Sequence, residues 1–308
     1  MNRSRLGRTD LIVHDLCLGG NVFGWSADET QSIDVLDAYA DTGGNFIDTA
    51  DMYSAWHAGN VGGESETIIG NWMAQRRNRS DIVIATKVAK LETRPGLSAS
   101  NIIAAAEDSL RRLHSDYIDV YYAHHDDEST PLEETLSAFD QLVTSGKVRY
   151  LGASNHTAPR LAQALTTSRE LGLAEYVVVQ PHFNAIVRNE YQGALQEVCV
   201  QEELAVLPYF SLAAGFLTGK YSPGTSVESV RAEDMDDYAT DRGWAILDAI
   251  RSIAEDHAVA VSTVALEWLR HQQGVAVPIA SARTVEQLAP LLARVVLSDS
   301  QVAAISAL

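Results

Sequence analysis

The stretch Tyr117-Ile118-Asp119-Val120-Tyr121-Tyr122-Ala123-His124 is a run of β-branched and aromatic residues that ends on an imidazole. Two earlier stretches have the same build. Ile82-Val83-Ile84-Ala85-Thr86-Lys87 ends on an ammonium. Phe46-Ile47-Asp48-Thr49-Ala50-Asp51-Met52-Tyr53 closes its short run on a carboxylate and adds a phenol five residues later. Runs that are apolar throughout, rather than alternating, suit strands covered on both faces. Each delivers its polar residue at or just past its C-terminal end. In a barrel of alternating strands and helices, that edge holds the chemistry. Asp48, Tyr53, Lys87 and His124 are therefore the candidate catalytic set. An acid, a cation that retunes it, a carboxylate that holds the cation and an imidazole suffice to protonate a carbonyl oxygen.

Working outward, eight such runs can be counted: Asp15–Leu18, Phe46–Asp48, Ile82–Thr86, Ile118–Ala123, Val148–Ala153, Tyr176–Gln180, Ala205–Tyr209 and Val275–Ala280. Between most of them the apolar residues fall at helical spacing. Ile33, Leu36 and Ala40 share a face, as do Ile103, Ala106, Leu110 and Leu113, and Leu132, Leu136, Phe139 and Val143. Ser98 and Thr130 read as helix N-caps, with Pro131 in the first turn and Glu133 completing a capping box. Runs two to seven recur every ~30 residues, the length of a βα unit. This rhythm predicts an α/β fold, a (β/α)8 TIM barrel filling residues 1–308 as a single domain. Ser4–Val13 reads as an N-terminal β-hairpin plugging the barrel floor, and Trp244–His257 and Ser262–His271 as extra helices near the C-terminus. The long loop Gly215–Asp241 after the seventh run reads as a lid or clamp, with Glu228–Asp241 as a solvated acidic surface.

Composition narrows the function. The 308 residues carry 41 acidic and 23 basic side chains, a net charge of −18. Such a surface repels nucleic acid and anionic membranes. The apolar fraction is 46%, enough for a full core. Cys17 and Cys199 are the only cysteines, and neither has metal-ligand or CxxC spacing, which fits a reducing cytoplasm. No signal-peptide core follows the N-terminal charges, and no run reaches the roughly 18 apolar residues of a membrane helix. Neither G-x-G-x-x-G nor G-x-x-x-x-G-K-[ST] occurs, so a Rossmann or P-loop nucleotide site is not supported. His124-His125-Asp126-Asp127 contains metal-ligand residue types, but neighbours on a strand face opposite ways, so no metal site is predicted.

The motifs, taken in order, resemble the aldo-keto reductase superfamily over nearly the whole chain, and most closely the bacterial branch that is similar to potassium-channel β subunits. They are Gly43-Gly44-Asn45-Phe46-Ile47-Asp48-Thr49-Ala50 with Tyr53; Gly63-Glu64-Ser65-Glu66 with Gly70; Thr86-Lys87; Asp119-Val120-Tyr121 before His124; Gly146-Lys147-Val148-Arg149-Tyr150-Leu151-Gly152 with Ser154-Asn155; Gln180 with Phe183-Asn184; and Gly215-Phe216-Leu217-Thr218-Gly219-Lys220-Tyr221. The resemblance implies an enzyme in which Tyr53 is the general acid. Its phenol starts near pKa 10, and Lys87 beside it favours the phenolate. Asp48 would hold Lys87, and His124 would orient the substrate carbonyl. Hydride would come from a nicotinamide.

The same resemblance implies the cofactor set. Ser154, Asn155 and Gln180 would bind the nicotinamide carboxamide, with Asp48 close by, and Tyr209 would stack on the ring. Gly20 and Asn21 match a loop that approaches the cofactor. Phe210, Ser211, Leu212, Ala213 and Lys220 match the clamp over the pyrophosphate. At the adenosine end the chain departs from the family. Many members have Lys where Ser281 stands, Arg where Gln287 stands and Asn where Leu291 stands. Arg283 is then the residue that would meet a 2′-phosphate, with Ser281 donating to it. The cofactor expected is NADPH, with NADH left open. Trp25, Trp56, His57 and His125 are the candidate substrate-pocket residues, for a small-molecule carbonyl substrate. Three activities share these residues: reduction of aldehydes and ketones, oxidoreduction of a sugar or secondary metabolite, and a redox-sensing binding subunit.

Overall fold

The computed structural model describes residues 3–222 and 237–308. All eight apolar runs form strands. They are β3 (Cys17–Gly19), β4 (Phe46–Asp48), β5 (Val83–Val88), β6 (Ile118–Ala123), β7 (Val148–Ser154), β8 (Tyr176–Gln180), β9 (Ala205–Val206) and β10 (Ile279–Ala280), after a two-stranded hairpin of β1 (Arg3–Arg5) and β2 (Ile12–His14). The eight are parallel, in the order β10-β3-β4-β5-β6-β7-β8-β9. Backbone bonds join the two ends. Val206 N donates to Gly274 O at 3.2 Å, Ala276 N to Val206 O at 2.9 Å and Ile279 N to Pro208 O at 3.0 Å. The last two strands are shorter than their runs. Pro208 and Pro278 have no N–H to give a ladder, so regular pairing stops beside each.

Helices α1 (Glu29–Asp41), α2 (Glu64–Arg76), α3 (Ala99–Arg112), α4 (Leu132–Thr144), α5 (Ala158–Leu171) and α6 (Ala194–Gln201) follow the strands from β3 to β8 in turn. The extra helices α7 (Asp241–His257) and α8 (Val261–Arg270) precede β10, and α9 (Val285–Leu292) and α10 (Asp299–Ser306) follow it. The helical spacing found the right segments and most of their core faces: Leu36, Ala106, Leu110, Leu113, Leu132, Leu136 and Phe139 are buried, and the rest of each stripe lies at its edge. Ile33, Ile103 and Val143 are only half-buried, while Val35, Tyr39, Ile102 and Leu142 are in the core. Ser98 caps α3, its hydroxyl accepting from Asn101 N. Thr130 does not cap α4. Its hydroxyl donates to the Asp127 carboxylate at 2.8 Å, and Pro131 occupies the cap position with no side-chain bond. Glu133 accordingly completes no capping box.

Two apolar cores follow from strand alternation. Ile47, Ile84, Tyr121 and Val179 face outward into the layer under the helices. Phe46, Val83, Ala85, Val120, Tyr122, Val178, Ala205 and Leu207 face into the barrel. Leu6, Leu11 and Val13 of the hairpin join this inner core, so β1 and β2 close the barrel floor as the sequence predicts. The inner packing is tight. A Cβ on Gly152 would lie 2.3 Å from the Tyr122 ring, so even alanine there costs about 1–3 kcal/mol.

The inward parity decides the site. Continuing two residues at a time, Phe46 leads to Asp48, Val83 and Ala85 to Lys87, Val120 and Tyr122 to His124, Val178 to Gln180, and Leu207 to Tyr209. The strands that fill the barrel thus carry these five side chains to its C-terminal mouth. No helix among the described residues is long and apolar enough to cross a membrane. Part of the long loop after β9, residues 223–236, and with it most of Glu228–Asp241, lies outside the described residues.

Candidate active site

Asp48, Tyr53, Lys87 and His124 meet at this mouth. Lys87 is fully buried and spends all three of its donors. Its Nζ is 2.6 Å from Asp48 Oδ2, 2.8 Å from Thr49 O and 2.8 Å from Tyr53 Oη. Tyr53 Oη in turn donates to Asp48 Oδ2 at 3.1 Å. Burial lowers the Lys87 pKa from its usual value, and the Asp48 carboxylate, by its charge and its hydrogen bond, opposes this. The His124 ring meets Tyr53 edge-on, with centroids 6.0 Å apart. Burial first, then Lys87, Lys90 and His125, holds His124 well below its usual pKa. Its imidazole is therefore neutral at pH 7.

The residues expected at the nicotinamide form one hydrogen-bonded array with this set. Gln180 donates to Asp48 Oδ1 at 2.8 Å, and Ser154 Oγ donates to Gln180 O at 2.8 Å. Asn155 sits in the left-handed region at φ 54°, a conformation asparagine tolerates better than most residues. There its amide donates to His124 O at 2.8 Å and to Ser154 Oγ at 3.0 Å, while its oxygen accepts from Tyr209 Oη at 2.8 Å. The Tyr209 ring is stacked on His182, 5.3 Å between centroids. His182 carries no local pattern that would single it out in the sequence.

A cleft of about 650 Å³ opens over these groups. Its wall includes Asn21, Asp48, Tyr53, Trp56, His124, Ser154, Asn155, Gln180, Tyr209, Phe210, Ser211, Leu212, Lys220, Ser281, Arg283 and Gln287. Ser281 donates to Asn21 Oδ1 at 2.7 Å, which ties the ends of β3 and β10 together, and Gln287 accepts from Arg283 N at 3.0 Å within the segment after β10. Gly20 and Ala213 are not in the wall. Gly20 N bonds Asp48 O at 2.7 Å, and Ala213 is buried, so both shape the backbone behind it.

The substrate-pocket candidates separate. Trp56 is in the wall and 46% exposed, with Trp25 packed edge-on behind it at 5.5 Å. His57 is exposed and His125 half-buried, and neither lines the cleft. His125 lies one residue beyond the inward-facing His124, and its ring meets Asp126 O. Met52, Lys90 and Ser262 do line the cleft and were not anticipated. They stand in loops and at a helix start, where no apolar period marks a direction.

Asp51 is buried beside this array without taking part in it. Its N–H donates to Lys87 O at 3.2 Å, while both carboxylate oxygens are buried and without a hydrogen-bond partner. Burial, then the nearby Glu66, pushes its pKa up to about 7.

Residues 15–308 match the family model described as the aldo/keto reductase family. The chain is 33% identical to the uncharacterized oxidoreductase YrpG of Bacillus subtilis (strain 168), covering 94% of this chain and 89% of that protein. It is 29% identical to a probable voltage-gated potassium channel subunit beta of Arabidopsis thaliana, again over 94% and 89%. It is 31% identical to norsolorinic acid reductase B of Aspergillus parasiticus, over 95% of this chain and 80% of that one.

Proposed function

This chain belongs to the aldo/keto reductase family and is an NAD(P)H-dependent oxidoreductase; on that premise we propose that it reduces an aldehyde or ketone to the alcohol with NADPH, Tyr53 giving the proton. One observation carries this reading. The Tyr53 hydroxyl lies within 2.8 Å of a fully buried ammonium and 3.1 Å of that ammonium's carboxylate, on the wall of a cleft that also holds His124.

The donor set fits a dinucleotide. Two amides, Asn155 and Gln180, stand beside the flat Tyr209 ring, and Lys220 and Arg283 lie further along the wall. Asp48 is the one carboxylate in that wall among the described residues, and Lys87 balances it. Bound there, the cofactor supplies the hydride, which its own chemistry makes available. Asn155, Gln180 and Ser154 orient the carboxamide, and Tyr209 covers one ring face. Lys220 and Arg283 hold phosphate oxygens.

The chain's own groups move the proton. The neutral His124 donates an N–H to the substrate oxygen and fixes its direction. Tyr53 Oη passes its proton to that oxygen as negative charge builds on it. Lys87, already donating to Oη, stabilises the phenolate left behind, at no cost of reorganisation. Asp48 keeps Lys87 in line. The test is NADPH oxidation across a panel of aldehydes and ketones, led by 4-nitrobenzaldehyde. Turnover is expected; none, with cofactor bound, contradicts the reading.

A further inference from the structure

We propose that Lys90 is an anion-binding residue at the substrate end of the cleft, and that the preferred substrates are aldehydes or ketones bearing a carboxylate or similar anionic group. The inference rests on the carbonyl-reducing reading of this site and adds the substrate class.

The chain has four lysines. Lys87 is paired with Asp48 and Lys147 with Glu107. Lys220 lies over the Tyr221 ring at 4.8 Å. Lys90 has no ion pair or hydrogen bond among the described residues, although acidic side chains outnumber basic ones by 41 to 23. It lines the cleft with Met52, Tyr53, Trp56 and His124. It is close enough to His124 for its charge to disfavour that of the imidazole, and to Lys87 for that ammonium to disfavour its own.

The barrel then separates Lys90 from the phosphate-binding cations. Lys90 follows β5, and Lys220 follows β9. In the closed order β10-β3-β4-β5-β6-β7-β8-β9, three strands lie between β5 and β9 on either side. The two residues rise from opposite walls, and Arg283, after β10, is three strands from β5. The cofactor's phosphates account for Lys220 and Arg283 and leave Lys90 unused. The backbone supports its placement. Ala89 is buried with φ at 109°, a region alanine rarely enters, and its carbonyl accepts from Gly96 N at 2.9 Å. That turn ends β5 and brings Lys90 to the mouth. Lys90 is exposed at the mouth; partial desolvation of its ammonium and then the Lys87 charge lower its pKa in the free protein, and an arriving anion offsets that repulsion at an ammonium with no ion pair among the described residues. Trp56, in the wall of the same cleft, offers an aromatic face to the rest of the molecule.

The test uses 2-, 3- and 4-carboxybenzaldehyde against their methyl esters, with NADPH, in the wild type, Lys90→Met and Lys90→Arg. The readout is the acid-to-ester ratio of kcat/KM within each protein, for the isomer turned over best. A ratio of roughly 10 or more in the wild type is expected, kept in Lys90→Arg and falling towards unity in Lys90→Met. A ratio near unity in the wild type, or one that survives Lys90→Met, overturns the proposal. Loss of NADPH affinity in Lys90→Met, in place of the ratio, assigns Lys90 to the cofactor and also overturns it. Failure to turn over acid and ester alike, with cofactor bound, is failure of the carbonyl-reducing reading itself.

Discussion

Gln180 donates its side-chain amide to Asp48 Oδ1 at 2.8 Å, across 132 positions of the chain. The other oxygen of the same carboxylate takes Lys87 at 2.6 Å and Tyr53 at 3.1 Å. One buried carboxylate therefore joins the residues assigned to the nicotinamide with those assigned to the proton. Gln180→Ala removes a hydrogen bond to a charged group, worth about 1.5–3 kcal/mol. Both NADPH affinity and kcat are expected to fall, kcat by roughly 10-fold or more. Steady-state kinetics and calorimetry check this; weaker cofactor binding at unchanged kcat would deny the Asp48 bond any positioning role.

Lys87→Met leaves Asp48 charged and buried without its partner. Breaking a buried pair from one side costs about 3–5 kcal/mol, to be read from denaturant unfolding. Adding Asp48→Asn removes the stranded charge, so the double variant is expected to recover part of the loss. Additive losses would mean that the pair contributes nothing as a pair.

Asp51 sets a pH dependence of stability. Its carboxyl is raised from 3.8 to about 7 in the folded chain. Below about pH 4 it is protonated in both states and costs the fold nothing. Between about pH 4 and 7 the unfolded chain loses the proton first, so stability falls as pH rises, by about 4 kcal/mol once pH 7 is passed. Asp51→Asn removes this slope. The variant is expected to match the wild type near pH 4 and exceed it near pH 8 in denaturant midpoint. A parallel pH profile in the two proteins would show that Asp51 ionises normally.

How much of this was legible in sequence follows the physics of each signal. Strands covered on both faces must be apolar throughout, so all eight could be read, and inward parity then carried Asp48, Lys87 and His124 to one mouth. The centre of each helix face was legible, as in Leu36, Leu110 and Leu136, while its edges were not, because neighbouring 3.6-residue stripes overlap by a residue and Ile33, Ile103 and Val143 stand at the margin. Thr130 was misread because Asp127, three residues back, takes its hydroxyl, which spacing does not reveal. Lys90, His182 and the Gln180–Asp48 bond depend on where loops and distant strands end, and no local period encodes that. The same holds for Trp25, His57 and His125, which stand near the cleft in sequence while Trp56 alone of the four lines it.

His124 is held well below its usual pKa by burial and the neighbouring lysines. NMR of ring-labelled histidine is expected to find it neutral at pH 7 with no titration near 6.5. Protonated His124 at pH 7 would make it a competing acid and contradict its assignment as a neutral hydrogen-bond donor.

Arg283→Ala is expected to weaken NADPH by about 1.5–3 kcal/mol, the scale of a charged hydrogen bond, with little change for NADH. Fluorescence titration with both cofactors decides it; equal weakening would remove Arg283 from the 2′-phosphate.

Tyr53 is assigned the proton, and single-turnover oxidation of bound NADPH by 4-nitrobenzaldehyde in the wild type and in Tyr53→Phe decides it. The ring stays and the transferable proton goes. The rate is expected to fall on the order of 100-fold or more, with NADPH affinity retained. A rate near that of the wild type, with cofactor bound, would contradict the assignment.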